Sequence, residues 1–128
     1  MKYLKGALVA GVACAFAFGC GHAANTLVNG MPAPSDAVVV SVQNNNWQDV
    51  DVYAVAGGQR VRLGNVTTAH ESNFILPGGM SLSPDLRIQL HPLAANRDFV
   101  SSRIIANPGD VIEVTVMNGL AQTSVVVR

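Results

Sequence analysis

Residues 50–63 read V-D-V-Y-A-V-A-G-G-Q-R-V-R-L. Val50, Val52 and Ala54 alternate with Asp49, Asp51 and Tyr53. That period of two gives a β-strand one apolar and one polar face. Gly57-Gly58 follows, and glycine freely adopts the positive φ that both positions of a favoured two-residue hairpin loop require. Val61 and Leu63 then alternate with Arg60 and Arg62. Folding at the glycine pair sets Ala54 opposite Val61 and Val52 opposite Leu63, all apolar. It also sets Tyr53 opposite Arg62, with Asp51 on the diagonal, so a charge pair and an arginine–aromatic contact are expected. Turn chemistry and patterning agree on a hairpin with one buried face.

The same pattern extends in both directions. Upstream, Val38, Val40 and Val42 alternate with Val39, Ser41 and Gln43 until Asn44-Asn45-Asn46 breaks the run. Downstream, Glu71 to Leu76 is a shorter strand ended by Pro77-Gly78-Gly79. Leu86, Ile88 and Leu90 alternate with Arg87, Gln89 and His91, and Pro92 stops them. Asp98 to Ala106 is strand-like without a clear inward face. Asn107-Pro108-Gly109-Asp110 suits a type II turn. Ile112, Val114 and Val116 alternate with Glu113 and Thr115, and Asn118-Gly119 is a type I′ signal. That turn sets Val116 against Ala121, Val114 against Thr123 and Ile112 against Val125, with a last strand over Gln122 to Val127. Roughly eight short strands with regular turn signals predict an all-β domain over residues 37–128, a single antiparallel β-sandwich. No Cys…Trp…Cys pattern is present. The domain therefore resembles immunoglobulin-like and transthyretin-like sandwiches in architecture only.

The N-terminus differs from the rest. Lys2 and Lys5 precede an uncharged apolar run from Gly6 to Gly19 that stops at Cys20. A basic start and a short apolar stretch form an export signal, too short to span a bilayer as a helix. Ala17-Phe18-Gly19-Cys20 resembles the bacterial lipobox, with Gly19 in the small position before the cysteine. Ala17 and Phe18 depart from the usual leucine and small residue. The resemblance implies a signal peptide over 1–19, a diacylglyceryl and amide-linked acyl lipid on Cys20, and a membrane anchor. Gly21, where an aspartate would favour the inner membrane, points to the outer membrane. Cleavage after Ala23, at Gly21-His22-Ala23, is the alternative; it would release a secreted or periplasmic, non-lipidated domain. Residues 20–36, rich in Gly, Ala, Asn, Pro and Ser, read as a flexible tether. Leu27, Val28 and Met31 could instead dock on the domain as an edge strand.

Composition narrows the function. Of 128 residues, loss of the first 19 leaves 109, enough for one modest core. The six remaining basic residues, all arginine, face eight acids, a formal net charge of −2. They are dispersed, so the basic patch that nucleic-acid binding needs is absent. With Cys20 lipidated and Cys14 in the signal, no thiol is left for an internal disulfide. Serines stand beside no obvious base and no G-x-S-x-G elbow occurs. His22, His70 and His91 are scattered, and Asp49 with Asp51 lack the further ligands of a calcium loop. No catalytic residue, metal or cofactor is expected. Trp47, Tyr53, Arg60 and Arg62 form the candidate contact surface, because Trp, Tyr and Arg are enriched in binding hot spots. The expectation is a non-catalytic envelope lipoprotein that binds another protein or serves structurally. A small-ligand or metal-binding periplasmic protein is the alternative.

Overall fold

The computed structural model describes residues 27–128. The export signal, the lipobox, Cys20, His22 and both cleavage positions lie outside the described residues. The strands are β1 (Leu27–Val28), β2 (Met31–Pro32), β3 (Val39–Asn44), β4 (Val50–Ala56) and β5 (Gln59–Val66), then β6 (Glu71–Ile75), β7 (Arg87–Pro92), β8 (Phe99–Val100), β9 (Val111–Val116) and β10 (Ser124–Val127). Two short 3-10 turns, Met80–Leu82 and Leu120–Gln122, interrupt them, and no α-helix occurs among the described residues.

The all-β class is as expected, but the sheets are more elaborate than a single antiparallel pairing scheme. One four-stranded sheet runs β10-β9-β3-β6, a second runs β5-β4-β7-β8, and β1-β2 form a separate two-stranded sheet. β3 and β9 pair in parallel, Val40 beside Ile112 and Val42 beside Val114. The cause is connectivity. The chain leaves β8 in one sheet and crosses to the other through residues 101–110, so it enters β9 in the same direction as β3.

Alternation places the core. β4 and β7 bury every second residue, among them Val50, Val52, Ala54, Ile88 and Leu90. β3 and β9 do the same with Val40, Val42, Ile112, Val114 and Val116, and all of these belong to one hydrophobic cluster. Burying each such aliphatic side chain contributes about 1.5–3 kcal/mol. Both four-stranded sheets contribute to this shared cluster.

The β4–β5 hairpin turns at Gly57 and Gly58, with φ of 58° and 76°. Ala54 opposes Val61 and Tyr53 opposes Arg62, as the pattern predicts. Val52 opposes Gly64, not Leu63, because a bulge shifts the register between Val52 and Tyr53. Gly64 fits there for a steric reason: a Cβ would lie 2.5 Å from Cε1 of Phe74. Leu63, displaced by one position, still packs against the core.

Three further expectations change. Residues 27–32, placed in the tether by the sequence, fold as the β1–β2 hairpin, turning at Asn29 and Gly30 with φ of 53° and 77°. The hairpin joins neither large sheet. It leans on β6, where Asn73 Nδ2 donates to the Leu27 carbonyl at 2.8 Å, and it buries Val28. Of Asp98 to Ala106, only Phe99–Val100 is a strand. Beyond it the Ser101 hydroxyl accepts the Ile88 N–H at 3.0 Å, while Ser101 N–H donates to the Ile88 carbonyl. A side chain thus stands in for a backbone acceptor and the regular ladder ends. The β9–β10 hairpin sets Val125 against Val114 and Val127 against Ile112, two residues from the expected register.

Candidate functional site

The outer face of the β5-β4-β7-β8 sheet carries three rows of side chains across the strands. The first is Arg60, Val55 and Arg87; the second Arg62, Tyr53 and Gln89; the third Asn65, Asp51 and His91. Alternation forces this. Once Val52 and Ala54, with Ile88 and Leu90, face the core, their neighbours must face out.

Hydrogen bonds and ion pairs order the face. Arg62 Nη2 lies 2.8 Å from Asp51 Oδ1, which also accepts from Asn65 Nδ2 at 3.0 Å. Burial opposes ionisation of Asp51, but the Asn65 and Arg62 hydrogen bonds outweigh it and hold its carboxyl below the usual range. The Asp51 hydrogen bond holds Arg62 correspondingly above its ordinary value. His91 Nδ1 lies 2.5 Å from Asp98 Oδ1, and Gln89 Nε2 donates to Asp98 Oδ2 at 2.5 Å. The His91 contact is the main reason that Asp98 is held below the ordinary carboxylate range. The expected charge pair is therefore Arg62 with Asp51. The expected aromatic contact comes from the other arginine, with the Arg60 guanidinium 3.8 Å above the Tyr53 ring centre.

Trp47 lies outside the three rows, on the β3–β4 loop six residues before Tyr53. It is 78% exposed, so it caps no core. The loop beneath it is tightly built. Asn44 is fully buried, and its Nδ2 donates to the Gln48 and Val66 carbonyls at 2.9 and 3.0 Å. Its Oδ1 accepts the Asn46 N–H at 2.9 Å. Asn46 in turn bonds the Met117 carbonyl through Nδ2 and the Gln48 N–H through Oδ1, each at 3.0 Å. The Thr68 hydroxyl donates to the Asn46 carbonyl. Gln48 Oε1 accepts the Ala94 N–H at 3.0 Å. Leu93, 55% exposed, is tied to the same loop by its N–H to the Asp49 carbonyl. This scaffold is absent from the sequence-derived site. The run Asn44-Asn45-Asn46 was its signal, since asparagine side chains bond nearby backbone and initiate turns.

The remaining candidates are engaged locally. His70 Nδ1 lies 2.8 Å from the Thr68 carbonyl. Asp49 Oδ1 accepts the Thr68 N–H at 3.1 Å. Among the described residues no three of His, Cys, Asp or Glu converge as metal ligands. No described helix is long and apolar enough to cross a membrane. A groove of 380 Å³ separates β10 from residues 99–105, at the edge where the two large sheets part.

No protein family and no curated protein matches the sequence. Among solved structures, the chain resembles the NMR structure of a protein from Eubacterium rectale at 9% identity and a TM-score of 0.49, over 72% of this chain and 88% of that one. Nothing about function transfers at that level of similarity.

Proposed function

We propose that this protein is a bacterial envelope lipoprotein, anchored by lipid on Cys20, whose domain is a non-catalytic module that contacts another protein. The two four-stranded sheets are read as the halves of one sandwich of immunoglobulin-like or transthyretin-like architecture. One observation carries the contact reading: the exposed Trp47 stands on a loop whose backbone is fixed by buried asparagines. An exposed aromatic on a preorganised loop loses little entropy on docking, which is how a few residues come to dominate an interface. The outer sheet face adds Tyr53 and two arginines of the residue types found in such interfaces.

The anchor rests on Lys2, Lys5, the apolar run and Cys20. The β1–β2 hairpin begins at Leu27, so the chain from Cys20 to the described domain can span at most about 25 Å. A partner would then lie close to the bilayer.

Mass spectrometry of the mature N-terminus, with Cys20→Ala as control, tests the anchor. A diacylglyceryl adduct, with the alanine variant lost from membranes, is expected; a soluble product starting near Ala24 overturns it. A photo-crosslinking amino acid at position 47 or 53, in cells, tests the contact. A discrete adduct with an envelope protein is expected, and none at either position overturns the module reading.

A further inference from the structure

The outer face of the β4 sheet carries two arginines without an ion-pair partner among the described residues. Arg60 and Arg87 flank Val55 in one row. Their backbones are two strand spacings apart, about 10 Å. Among the described residues neither forms an ion pair with a carboxylate. Stacking on Tyr53 holds the plane of the Arg60 guanidinium and leaves its N–H edge open. Arg87 commits Nη1 to the Ser101 carbonyl at 3.1 Å and keeps the rest of its fork.

The carboxylates nearby are already engaged. Asp51 Oδ1 serves Arg62 and Asn65. Both oxygens of Asp98 serve His91 and Gln89. Asp85, near the hairpin end, accepts the Gly57 N–H at 2.9 Å and the Ser83 hydroxyl. Among the described residues, Arg60 and Arg87 are thus the two cations on this face that no carboxylate neutralises, and a partner that brings carboxylates satisfies them. Guanidinium forks match carboxylates in geometry and in charge.

We propose that this face docks an acidic segment of a partner protein, with two of its carboxylates received by Arg60 and Arg87 on either side of Val55. The proposal rests on the contact-module reading and adds the chemistry of the partner. Fixed negative charge at Asp51, Asp85 and Asp98 repels a polyanion of high charge density but tolerates two separated carboxylates. Val55 and the edge of Tyr53 offer an apolar floor to glutamate stems.

The probe is a fluorescein-labelled synthetic peptide of glutamate spaced by alanine, with the glutamine version as control, titrated into the full chain and followed by anisotropy. Saturable binding that weakens with added salt is expected, together with a loss of at least about tenfold in Arg60→Gln/Arg87→Gln and no change in Arg103→Gln. Equal binding by the double variant, or by the glutamine peptide, overturns the proposal. Stronger competition by heparin than by unlabelled glutamate peptide overturns it in favour of a sulfated polymer. Crosslinking from position 53 in cells separates the two readings. An adduct that persists in Arg60→Gln/Arg87→Gln keeps the contact module and sinks acid recognition.

Discussion

Replacing Asn44 with alanine tests whether the Trp47 loop is held as described. Asn44 is fully buried at the end of β3 and makes three hydrogen bonds through its side chain. The variant leaves the buried Asn46 N–H without its partner and takes one donor from the Val66 carbonyl, which stays in the β4–β5 ladder opposite Val50. The Gln48 carbonyl is partly exposed and can turn to water. A buried orphan costs about 1–3 kcal/mol, so the variant should lose about that much. For a domain of this size that is a large share of a total of about 5–15 kcal/mol.

Urea unfolding followed by circular dichroism reads this directly. With a slope of about 1–3 kcal/mol per molar, the midpoint should fall by on the order of 1 M while the slope stays constant. Asn45→Ala is the internal control. Its exposed side chain accepts only from Gln43 Nε2, at 3.3 Å, so its change should stay within about 0.5 kcal/mol. An Asn44→Ala effect no larger than that of Asn45→Ala would refute the argument, because it would mean that the loop is not organised through Asn44.

Gly64→Ala should destabilise by about 1–3 kcal/mol, since the new methyl meets Phe74 at 2.5 Å; pairing it with Phe74→Leu should recover part of the loss in the same urea assay. Trp47→Ala should leave stability within about 0.5 kcal/mol, and in the parent protein acrylamide should readily quench Trp47, the only tryptophan. Asp51 and Asp98 are both held below the ordinary aspartate range, so they stabilise the fold above that range and the gain is lost as pH falls through the folded values. Urea midpoints should therefore drop below about pH 4, and Asp98→Asn should show a shallower drop.

Local chemistry made part of this fold legible. The Gly57-Gly58 hairpin, the apolar faces of β3, β4, β7 and β9, and the polarity of the outer rows all follow from alternation and turn residues. The β9–β10 hairpin shows where that reasoning stops. Asn118-Gly119 asks for a type I′ turn, yet Gly119 has φ of −83°. Leu120 packs against the core instead, and its 3-10 turn lengthens the connection. The register slips by two residues, which keeps every side chain on its expected face because the strand period is two. Face assignments thus survived an error in pairing. The parallel β3–β9 pair had no comparable local signal, since it depends on how residues 101–110 cross between sheets. The Trp47 scaffold was equally hidden: Asn44 reaches Val66 and Asn46 reaches Met117, contacts 22 and 71 residues apart.

The same limit explains which arginine is free. Sequence alternation placed Arg62 opposite Tyr53 and near Asp51, and it gave no reason to prefer Arg60 for the ring. The bulge between Val52 and Tyr53 supplies the reason. By inserting Leu63 it brings Asn65, not residue 64, opposite Asp51. Asn65 and Arg62 then converge on one carboxylate oxygen, at 3.0 and 2.8 Å. With Arg62 drawn to Asp51, the face of Tyr53 is left to Arg60, whose fork stays open. A one-residue irregularity in β5 therefore divides two neighbouring arginines into a structural ion pair and an available cation.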